Sequence, residues 1–504
     1  MRMKPLSRRA AAGLLLSPLV APSLAIRASA EDRPATPPAG AARLPDLPAE
    51  VVTRHQIGAG AGVLSFRARA GAVRLVNPAT DATVAELAYV AYETEAADPT
   101  TRPIVFAING GPGAASAFLG IGAVGPWRLH MDGPALAPSA EPRLVENAET
   151  WLPFADLVMI DTPGTGFSRA REATAGQTDL YSVDGDIEAL AAFIRKWLTT
   201  HGRLASPKYI LAESYGGIRA PRLADKLAQR DNVGIRGLFL VSPLLNVTMV
   251  EGDSPLLDAA RLPSFAAVNR GARSRADLAD VEAYARSDYL VDLLRGPRDA
   301  AAQTRIANHL SAMAGVSEQY VRTAGGRIER NAFLREPRRS TGRVRSNYDG
   351  TITGWDPAPN DYYSIWADPM LDVLRAPIGA AMTTLVRDKL QWPVADLRYE
   401  VLNYSVGRRW DWGKQGRLAL ESMTAMRACL AGDPNFRVAI VHGLYDLVTT
   451  YFATQLLMDA LPAYGPTPRV SLTTYAAGHM LYSSDDGRKG MRDEGRALIA
   501  APVR

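Results

Sequence analysis

The sequence has little cysteine, with a single residue, Cys429, in a chain of 504. One cysteine excludes a disulfide within the chain, so the folded protein must be held together by its core. Hydrophobic residues make up 47% and charged residues 22% of the chain, which is typical of a globular enzyme and not of a disordered protein. This length accommodates one large domain with an insertion, or two to three ordinary domains.

The chain also lacks surplus positive charge beyond its N-terminus. The net charge of +5 comes from 57 Lys and Arg against 52 Asp and Glu. Five basic residues and no acids lie within the first thirty positions, so the remainder carries 52 residues of each sign. No basic stripe with interleaved aromatic residues restores an excess. Nucleic acid is therefore not an expected partner.

Residues 1–30 have the pattern of a signal peptide. A basic start ending in Ser7-Arg8-Arg9 precedes an apolar stretch over residues 10–26, and Ala28-Ser29-Ala30 forms a small-residue cleavage site. The apolar stretch contains two prolines and is short for a membrane span of about 20 residues, so we expect a cleaved signal and no stable membrane anchor. A periplasmic or secreted protein is predicted, with twin-arginine export and ordinary secretion both open. Residues 31–48, rich in Pro and Ala, are predicted to be a flexible leader.

Apolar runs typical of buried strands recur along the chain, and helical stretches separate several of them. They cover residues 104–108, 157–160, 209–211, 238–241, 438–441 and 470–475. The pattern predicts an α/β fold with a mostly parallel central sheet flanked by helices, in a core made of residues 49–245 and 417–504. Between them, residues 246–416 contain no regularly spaced apolar runs of the kind typical of buried strands. This segment is predicted to be a helical cap over the strand ends or, alternatively, a separate structural domain.

The segment Ala212-Glu213-Ser214-Tyr215-Gly216-Gly217 follows one of these runs and precedes a helical stretch. A serine between small residues, where a buried strand turns sharply into a helix, is typical of the nucleophile elbow of an α/β-hydrolase. Ser214 is therefore a candidate nucleophile. The alternative interpretation is a Gly-rich helix start with a serine in its first turn.

An elbow serine needs a base and an orienting acid, and both follow it in the chain. Asp446 and His479 each come just after a predicted strand, which gives the order Ser, Asp, His that is usual in α/β-hydrolases. Of the other histidines only His442 has a comparable position. Asp161 precedes the serine, so it does not fit the order.

The segment Asn109-Gly110-Gly111-Pro112-Gly113 leaves another predicted strand, and its glycines allow backbone N–H groups to approach a substrate closely. It is predicted to supply the oxyanion hole. A phosphate-binding turn is the alternative, but no Lys-Ser or Lys-Thr follows the glycines.

With these motifs in order, the chain resembles the serine carboxypeptidases, a family of secreted α/β-hydrolases. Four segments carry the resemblance: Asn-Gly-Gly-Pro-Gly at 109–113, Asp-Thr-Pro-Gly-Thr-Gly-Phe-Ser at 161–168, Glu-Ser-Tyr-Gly-Gly at 213–217 and Gly-His-Met at 478–480. The resemblance implies a peptidase that needs no cofactor or metal and acts on peptide substrates.

The resemblance also implies a role for each site residue. Ser214, Asp446 and His479 would form the catalytic triad. The N–H groups of Gly111 and Tyr215 would form the oxyanion hole. Asn109 and Glu213 would bind the free C-terminal carboxylate of the substrate. A buried, protonated Glu213 can donate a hydrogen bond to a carboxylate, so binding is expected to favour acidic pH. The alternative for Glu213 is a carboxylate that only stabilises a helix N-terminus.

Two departures from the family pattern leave the substrate class open. Ala123 stands where the family usually has an acid before a Gly-Pro pair, and Ala114 replaces the usual cysteine after the glycine turn. These changes fit a divergent bacterial branch. The leading hypothesis is an exported serine carboxypeptidase, and the alternative is a serine esterase or acyltransferase with no free-carboxylate requirement. A non-catalytic binding protein would not need an intact triad.

Overall fold

The computed structural model describes residues 46–502 apart from 59–61, 78, 96–97, 132–136, 172–178, 336–339, 362–367 and 395. The predicted signal peptide and all but the last three residues of the predicted leader lie outside the described residues. Residues 46–48 have no regular secondary structure.

Fourteen strands lie within the described residues. The strands are β1 Val51–Ile57, β2 Leu64–Val76, β3 Thr83–Thr94, β4 Ile104–Ile108, β5 Trp127–Leu129, β6 Leu144–Glu146, β7 Asp156–Ile160, β8 Arg169–Ala170, β9 Lys208–Glu213, β10 Gly237–Val241, β11 Arg343–Arg345, β12 Thr353–Trp355, β13 Arg437–Gly443 and β14 Val470–Tyr475.

The helices are α1 Ala117–Leu119, α2 Val183–Thr200, α3 Gly216–Arg230, α4 Pro255–Arg270, α5 Ala279–Arg286, α6 Asp288–Arg295, α7 Ala300–Ala314, α8 Glu318–Thr323, α9 Arg330–Arg335, α10 Leu371–Thr384, α11 Tyr404–Arg409, α12 Met423–Gly432, α13 Tyr451–Asp459 and α14 Asp485–Ala500. Within the described stretches, no helix is both long enough and apolar enough to cross a membrane.

The central sheet has the strand order β1-β2-β3-β7-β4-β9-β10-β13-β14, with β8 paired to β3. Neighbours from β7 to β14 are parallel, whereas β1, β2, β3 and β7 pair antiparallel. The predicted α/β-hydrolase fold, a mostly parallel sheet with an antiparallel edge, is confirmed. Since β9, β10, β13 and β14 are parallel neighbours, their carboxyl ends meet at one edge of the sheet.

Two hydrophobic clusters cover the two faces of the sheet. In β4, Ile104, Phe106 and Ile108 belong to the cluster that contains α2 and α3, while Val105 and Ala107 belong to the cluster on the other face. Every residue of β4 is buried, as expected when helices cover both faces of a parallel strand. The buried apolar side chains of α2 pack in the first of these clusters, and the Ser182 side chain caps this helix by accepting a hydrogen bond from the N–H of Gly185.

The predicted cap segment, residues 246–416, contains helices α4–α11 and the β11–β12 hairpin within its described part. Helices α4–α7 pack with the loop that follows β13, through Leu444 and Leu447. Helix α10 packs with the residues that follow the glycine turn, among them Phe118. The segment thus contacts the loops at the strand ends from two sides. Its assignment as a separate cap remains a prediction.

A buried ion pair fastens the start of β7. The guanidinium of Arg203 donates to Asp156 Oδ2 at 2.7 Å and to Ser206 Oγ at 2.7 Å, and both charged side chains are almost fully buried. We predict that Arg203→Met lowers the free energy of unfolding by about 1.5–3 kcal/mol, because Asp156 loses one of its two arginine partners and keeps only Arg102. The urea midpoint measures the effect. Arg54→Met, which removes an exposed pair with Glu95, should leave the midpoint nearly unchanged. An equal, small effect of both substitutions would contradict the prediction.

Candidate active site

Ser214 occupies the turn between β9 and α3 with a positive backbone φ of 59°. This conformation is unfavourable for a serine, so the surrounding contacts must hold it. The Ser214 N–H donates to the carbonyl of Val241 at 3.0 Å, and its carbonyl accepts from the N–H of Leu244 at 2.8 Å. The sharp strand-to-helix turn predicted from the sequence is therefore present and is tied to β10.

The glycine turn lies directly against this elbow. A Cβ atom added at Gly110 would lie 2.6 Å from the amide nitrogen of Tyr215 and 2.7 Å from the carbonyl oxygen of Glu213. No real Cβ contact is that short, so position 110 must be glycine. The close approach brings the backbone of the glycine turn beside the backbone of Tyr215. These are the two segments that were predicted to supply the oxyanion donors.

His479 and Asp446 form a buried hydrogen-bonded pair at the carboxyl ends of β14 and β13. His479 Nδ1 lies 2.7 Å from Asp446 Oδ2, and both side chains are almost fully buried. The other oxygen of Asp446, Oδ1, accepts from the N–H groups of Val448 and Thr449 at 2.8 and 3.1 Å. Asp446 is thus fixed in orientation, and it holds the imidazole by Nδ1, which leaves Nε2 for a substrate or nucleophile.

Thr449 joins this pair from the loop after β13. Its hydroxyl is 2.8 Å from Asp446 Oδ2, 3.1 Å from His479 Nδ1 and 2.8 Å from the carbonyl of Ser242. No sequence pattern pointed to Thr449; its position three residues after the acid is the only available signal. It connects the acid, the base and the end of β10.

The electrostatic environment suits His479 as a base. Burial by itself would lower the pKa of His479, but the charge and hydrogen bond of Asp446, together with the charge of Glu213, raise it above its usual value. His442, the rival histidine, differs: burial lowers its pKa to about 4, and its Nε2 pairs with Thr454 Oγ1 at 2.8 Å. His442 is a neutral packing residue beside the site.

Most of the predicted site residues line one cavity of about 120 Å³, whereas Asp446, which contacts His479, is not part of its wall. Ser214, His479, Asn109, Glu213 and Gly111 all contribute to its wall. The side chain of Tyr215 does not line the cavity, since it packs against Trp410 and Trp412. Only the backbone of Tyr215 is close to the glycine turn. The rest of the wall is mainly apolar and includes Phe118, Leu371, Leu402, Val448 and Met480.

Glu213 is buried at the edge of this cavity with two hydrogen-bond donors. The side-chain amide of Asn109 donates to Glu213 Oε2, and the Tyr482 hydroxyl lies 2.9 Å from Oε1 and 3.0 Å from Oε2. Burial raises the pKa of Glu213 to about 7, against the lowering effects of His479, Tyr482 and Asn109. Glu213 is consequently available as a neutral acid in weakly acidic solution.

The Arg219 side chain holds the glycine turn through hydrogen bonds to its carbonyl groups. It lies on α3, pairs with the buried Asp186 of α2 at 2.6 Å, and donates to the carbonyls of Asn109 and Gly110, at 3.0 Å for the latter. Because the carbonyl and N–H of one peptide bond point in opposite directions, holding the Gly110 carbonyl directs the Gly111 N–H away from Arg219. No sequence pattern indicated this role, which depends on contact between two helices.

Asp161 of the second motif is structural. Its buried carboxylate accepts from the Ser116 N–H at 3.0 Å, the Ser116 hydroxyl at 2.8 Å and the Tyr399 hydroxyl at 2.9 Å. It ties the turn after β7 to the segment that follows the glycine turn. In the described part of the chain, no group of three or more His, Cys, Asp or Glu residues is placed to hold a metal ion.

A family model matches part of this chain in sequence. Residues 61–250 match the family model described as serine carboxypeptidase. The resemblance to serine carboxypeptidases is confirmed. The match includes Asn109, Glu213 and Ser214, whereas Asp446 and His479 lie beyond it.

Individual relatives are distant. Serine carboxypeptidase-like 36 of Arabidopsis thaliana is 31% identical over 151 residues, which cover 29% of this chain and 29% of that protein. Serine carboxypeptidase-like 13 of the same plant is 27% identical over 150 residues, covering 29% of this chain and 34% of that protein. The chain thus spans about a third of the length of these relatives.

Solved structures resemble the chain only weakly. An esterase from Thermogutta terrifontis has 11% identity and a TM-score of 0.35, covering 85% of this chain and 98% of that one. A homoserine O-acetyltransferase from Bacillus anthracis has 11% identity and a TM-score of 0.37, covering 90% and 99%. Similarity this low carries no argument about activity.

We predict that Arg219→Met slows covalent labelling of Ser214 by a fluorophosphonate about 10- to 100-fold, because the glycine turn loses the contact that orients its N–H groups. Labelling rates are measured with Ser214→Ala as the blank. Arg222→Met is the matched control, since Arg222 lies on the same helix and donates to the carbonyl of Glu421.

The loss of a buried charge partner also affects stability, so a second variant separates the two effects. Arg219→Met combined with Asp186→Leu removes both buried charges and should restore stability without restoring the labelling rate. A labelling rate equal to that of the unaltered protein in either Arg219 variant would contradict the positioning role.

Proposed function

We propose that the protein is a serine carboxypeptidase that hydrolyses C-terminal peptide bonds through an acyl-enzyme on Ser214. One observation carries the proposal: the hydrogen-bonded pair Asn109 and Glu213 lines the same small cavity as Ser214 and His479. A carboxylate-binding pair this close to a nucleophile suits a substrate whose chain ends one residue beyond the scissile bond. The family match over residues 61–250 supports the same assignment.

In the proposed reaction, Ser214 Oγ attacks the carbonyl carbon of the last peptide bond while His479 takes the hydroxyl proton. Asp446 holds the imidazole and stabilises its charged form. The N–H groups of Gly111 and Tyr215 bind the oxyanion of the tetrahedral intermediate. His479 then gives its proton to the leaving amine, and the C-terminal amino acid departs. A water molecule, deprotonated by His479, cleaves the ester and releases the shortened peptide.

The carboxylate of the substrate would bind to Asn109 and to protonated Glu213. An ionised Glu213 would repel this carboxylate, whereas the neutral acid donates a hydrogen bond to it. Since the pKa of Glu213 is about 7, binding weakens as the pH rises through that value. Among the described residues of the cavity wall, the ionisable side chains are those of Glu213, His479 and Tyr348. The cavity therefore suits an uncharged, apolar C-terminal residue.

A serine esterase or acyltransferase on the same fold is the second candidate, and the observation that favours it is Ala123. This residue is buried in a π-helical turn, Gly120–Val124, where a second acid would be expected from the family pattern. Cleavage of simple esters without any cleavage of peptides would support this candidate over the first.

We also propose that the protein is exported, from the signal-peptide pattern of residues 1–30. N-terminal sequencing of the protein recovered from the periplasm or medium should begin near Glu31. Recovery of the intact N-terminus from the cytoplasm would contradict export.

We predict that a peptide with a free C-terminal carboxylate is cleaved at least about 100-fold faster, in kcat/KM, than the same peptide amidated, because the amide removes the charge that Glu213 and Asn109 recognise. KM for the free acid should be low below pH 7 and rise above it as Glu213 ionises, while kcat should fall in acid as His479 becomes protonated. Both are measured from pH 5 to 9.

Glu213→Gln is the matched variant for this experiment. Glutamine keeps a neutral donor in place of the protonated acid, so the rise of KM above pH 7 should disappear while the acid limb of kcat remains. Equal cleavage of the free acid and the amide by the unaltered enzyme, at every pH, would overturn the carboxypeptidase proposal.

A further inference from the structure

Tyr482 approaches the carboxylate-binding residues from the segment that carries the catalytic base. It follows His479 by three residues, in the 3₁₀ turn Leu481–Ser483, and its side chain is fully buried. Its hydroxyl lies 2.9 and 3.0 Å from the two carboxyl oxygens of Glu213. No sequence motif pointed to this tyrosine.

The ring of Tyr482 lies against the π-helical turn that contains Ala123. A Cβ atom added at Gly122 would lie 2.9 Å from Cε2 of Tyr482, so glycine at 122 is what leaves room for the ring. Ala123 is the next residue along the chain. The side chain of Tyr482 thus contacts both the π-helical turn and Glu213. This is the turn in which the family pattern would place a second carboxylic acid.

The groups that face Glu213 come from three elements. Asn109, after β4, and Tyr482 are its hydrogen-bond donors, while His479 and Asp446 act on it by charge alone. Of the two donors, Tyr482 is the ionisable one, and burial together with the charge and hydrogen bond of Glu213 raises the pKa of its hydroxyl well above its ordinary value. Tyr482 is therefore neutral in the pH range in which Glu213 titrates.

We propose that Tyr482 is the positioning residue for Glu213, a neutral donor that holds its carboxyl group toward the substrate carboxylate in place of a second acid. The proposal rests on the carboxypeptidase function above. Asn109 donates to Oε2 only, so Oε1 carries the proton of neutral Glu213 and offers it to the substrate, while the Tyr482 hydroxyl lies within reach of both oxygens. The substrate-binding step then follows a single ionisation.

The test is Tyr482→Phe, which removes the hydroxyl and keeps the ring. A donor to a carboxylate favours the ionised form, so its loss should move the pH at which KM rises upward by about one unit. KM below that pH should increase several-fold, because Glu213 loses one of its two anchors. The acid limb of kcat, which belongs to His479, should stay in place. Adding Glu213→Gln to Tyr482→Phe should abolish the rise of KM with pH. This result would assign the shift to the ionisation of Glu213.

Tyr289→Phe is the matched control. Tyr289 is fully buried among the helices between β10 and β13, and its hydroxyl donates to the carbonyl of Gly326 at 3.1 Å. Its loss removes a comparable buried hydrogen bond without touching the site, so both pH limbs should be unchanged. If Tyr482→Phe does not fold, as judged by fluorophosphonate labelling of Ser214, Tyr482→Met removes the same hydroxyl with an unbranched side chain that fills space.

The outcomes separate this inference from the proposed function. If KM rises at the same pH in a folded Tyr482 variant as in the unaltered enzyme, the positioning role is overturned, even if stability or kcat falls. If the unaltered enzyme does not distinguish the free acid from the amide, the proposed function fails and this inference fails with it. The proposed function and the role of Tyr482 are both supported if the unaltered enzyme prefers the free acid to the amide and the rise of KM moves to higher pH in Tyr482→Phe.

Discussion

The strained turn at Ser214 is the constraint on which the rest of the site depends. A serine with positive φ persists only where its surroundings hold it, and here hydrogen bonds to the segment from Val241 to Leu244 and the close approach of Gly110 do so. Because Gly110 must touch the elbow, the glycine turn and the Tyr215 amide are brought together. Arg219 then locks the turn from the opposite side. The proposed nucleophile and the proposed oxyanion donors therefore belong to one packed unit.

Burial affects both titratable groups of the site, Glu213 and His479. It raises the pKa of Glu213, whereas the charges of Asp446 and Glu213 overcome burial and raise the pKa of His479. A productive complex needs neutral Glu213 for binding and neutral His479 for attack. These requirements oppose each other in pH, so the proposed enzyme works in a limited window near neutrality. The hydroxyl of Tyr482 sets one side of that window through its contact with Glu213.

Much of this arrangement was predictable from the sequence, since buried parallel strands are apolar runs and the residues after them converge at one edge. The elbow, the glycine turn, Asp446 and His479 follow from that rule. Thr449, Tyr482 and the Arg219–Asp186 pair do not, because each acts through a contact between segments distant in the chain: Tyr482 meets a residue 269 positions away. Periodicity carries no information on such contacts. The part of the cavity wall that α10 contributes could not be predicted for the same reason.

The most direct test of the account is mass spectrometry of a mixed pool of peptides after incubation with the protein at several pH values. The account predicts stepwise loss of single residues from free C-termini, fastest for apolar residues, declining above pH 7 and absent with Ser214→Ala. Cleavage within the peptides or from their N-termini would contradict it, and so would the loss of C-terminal residues from amidated peptides at the same rate.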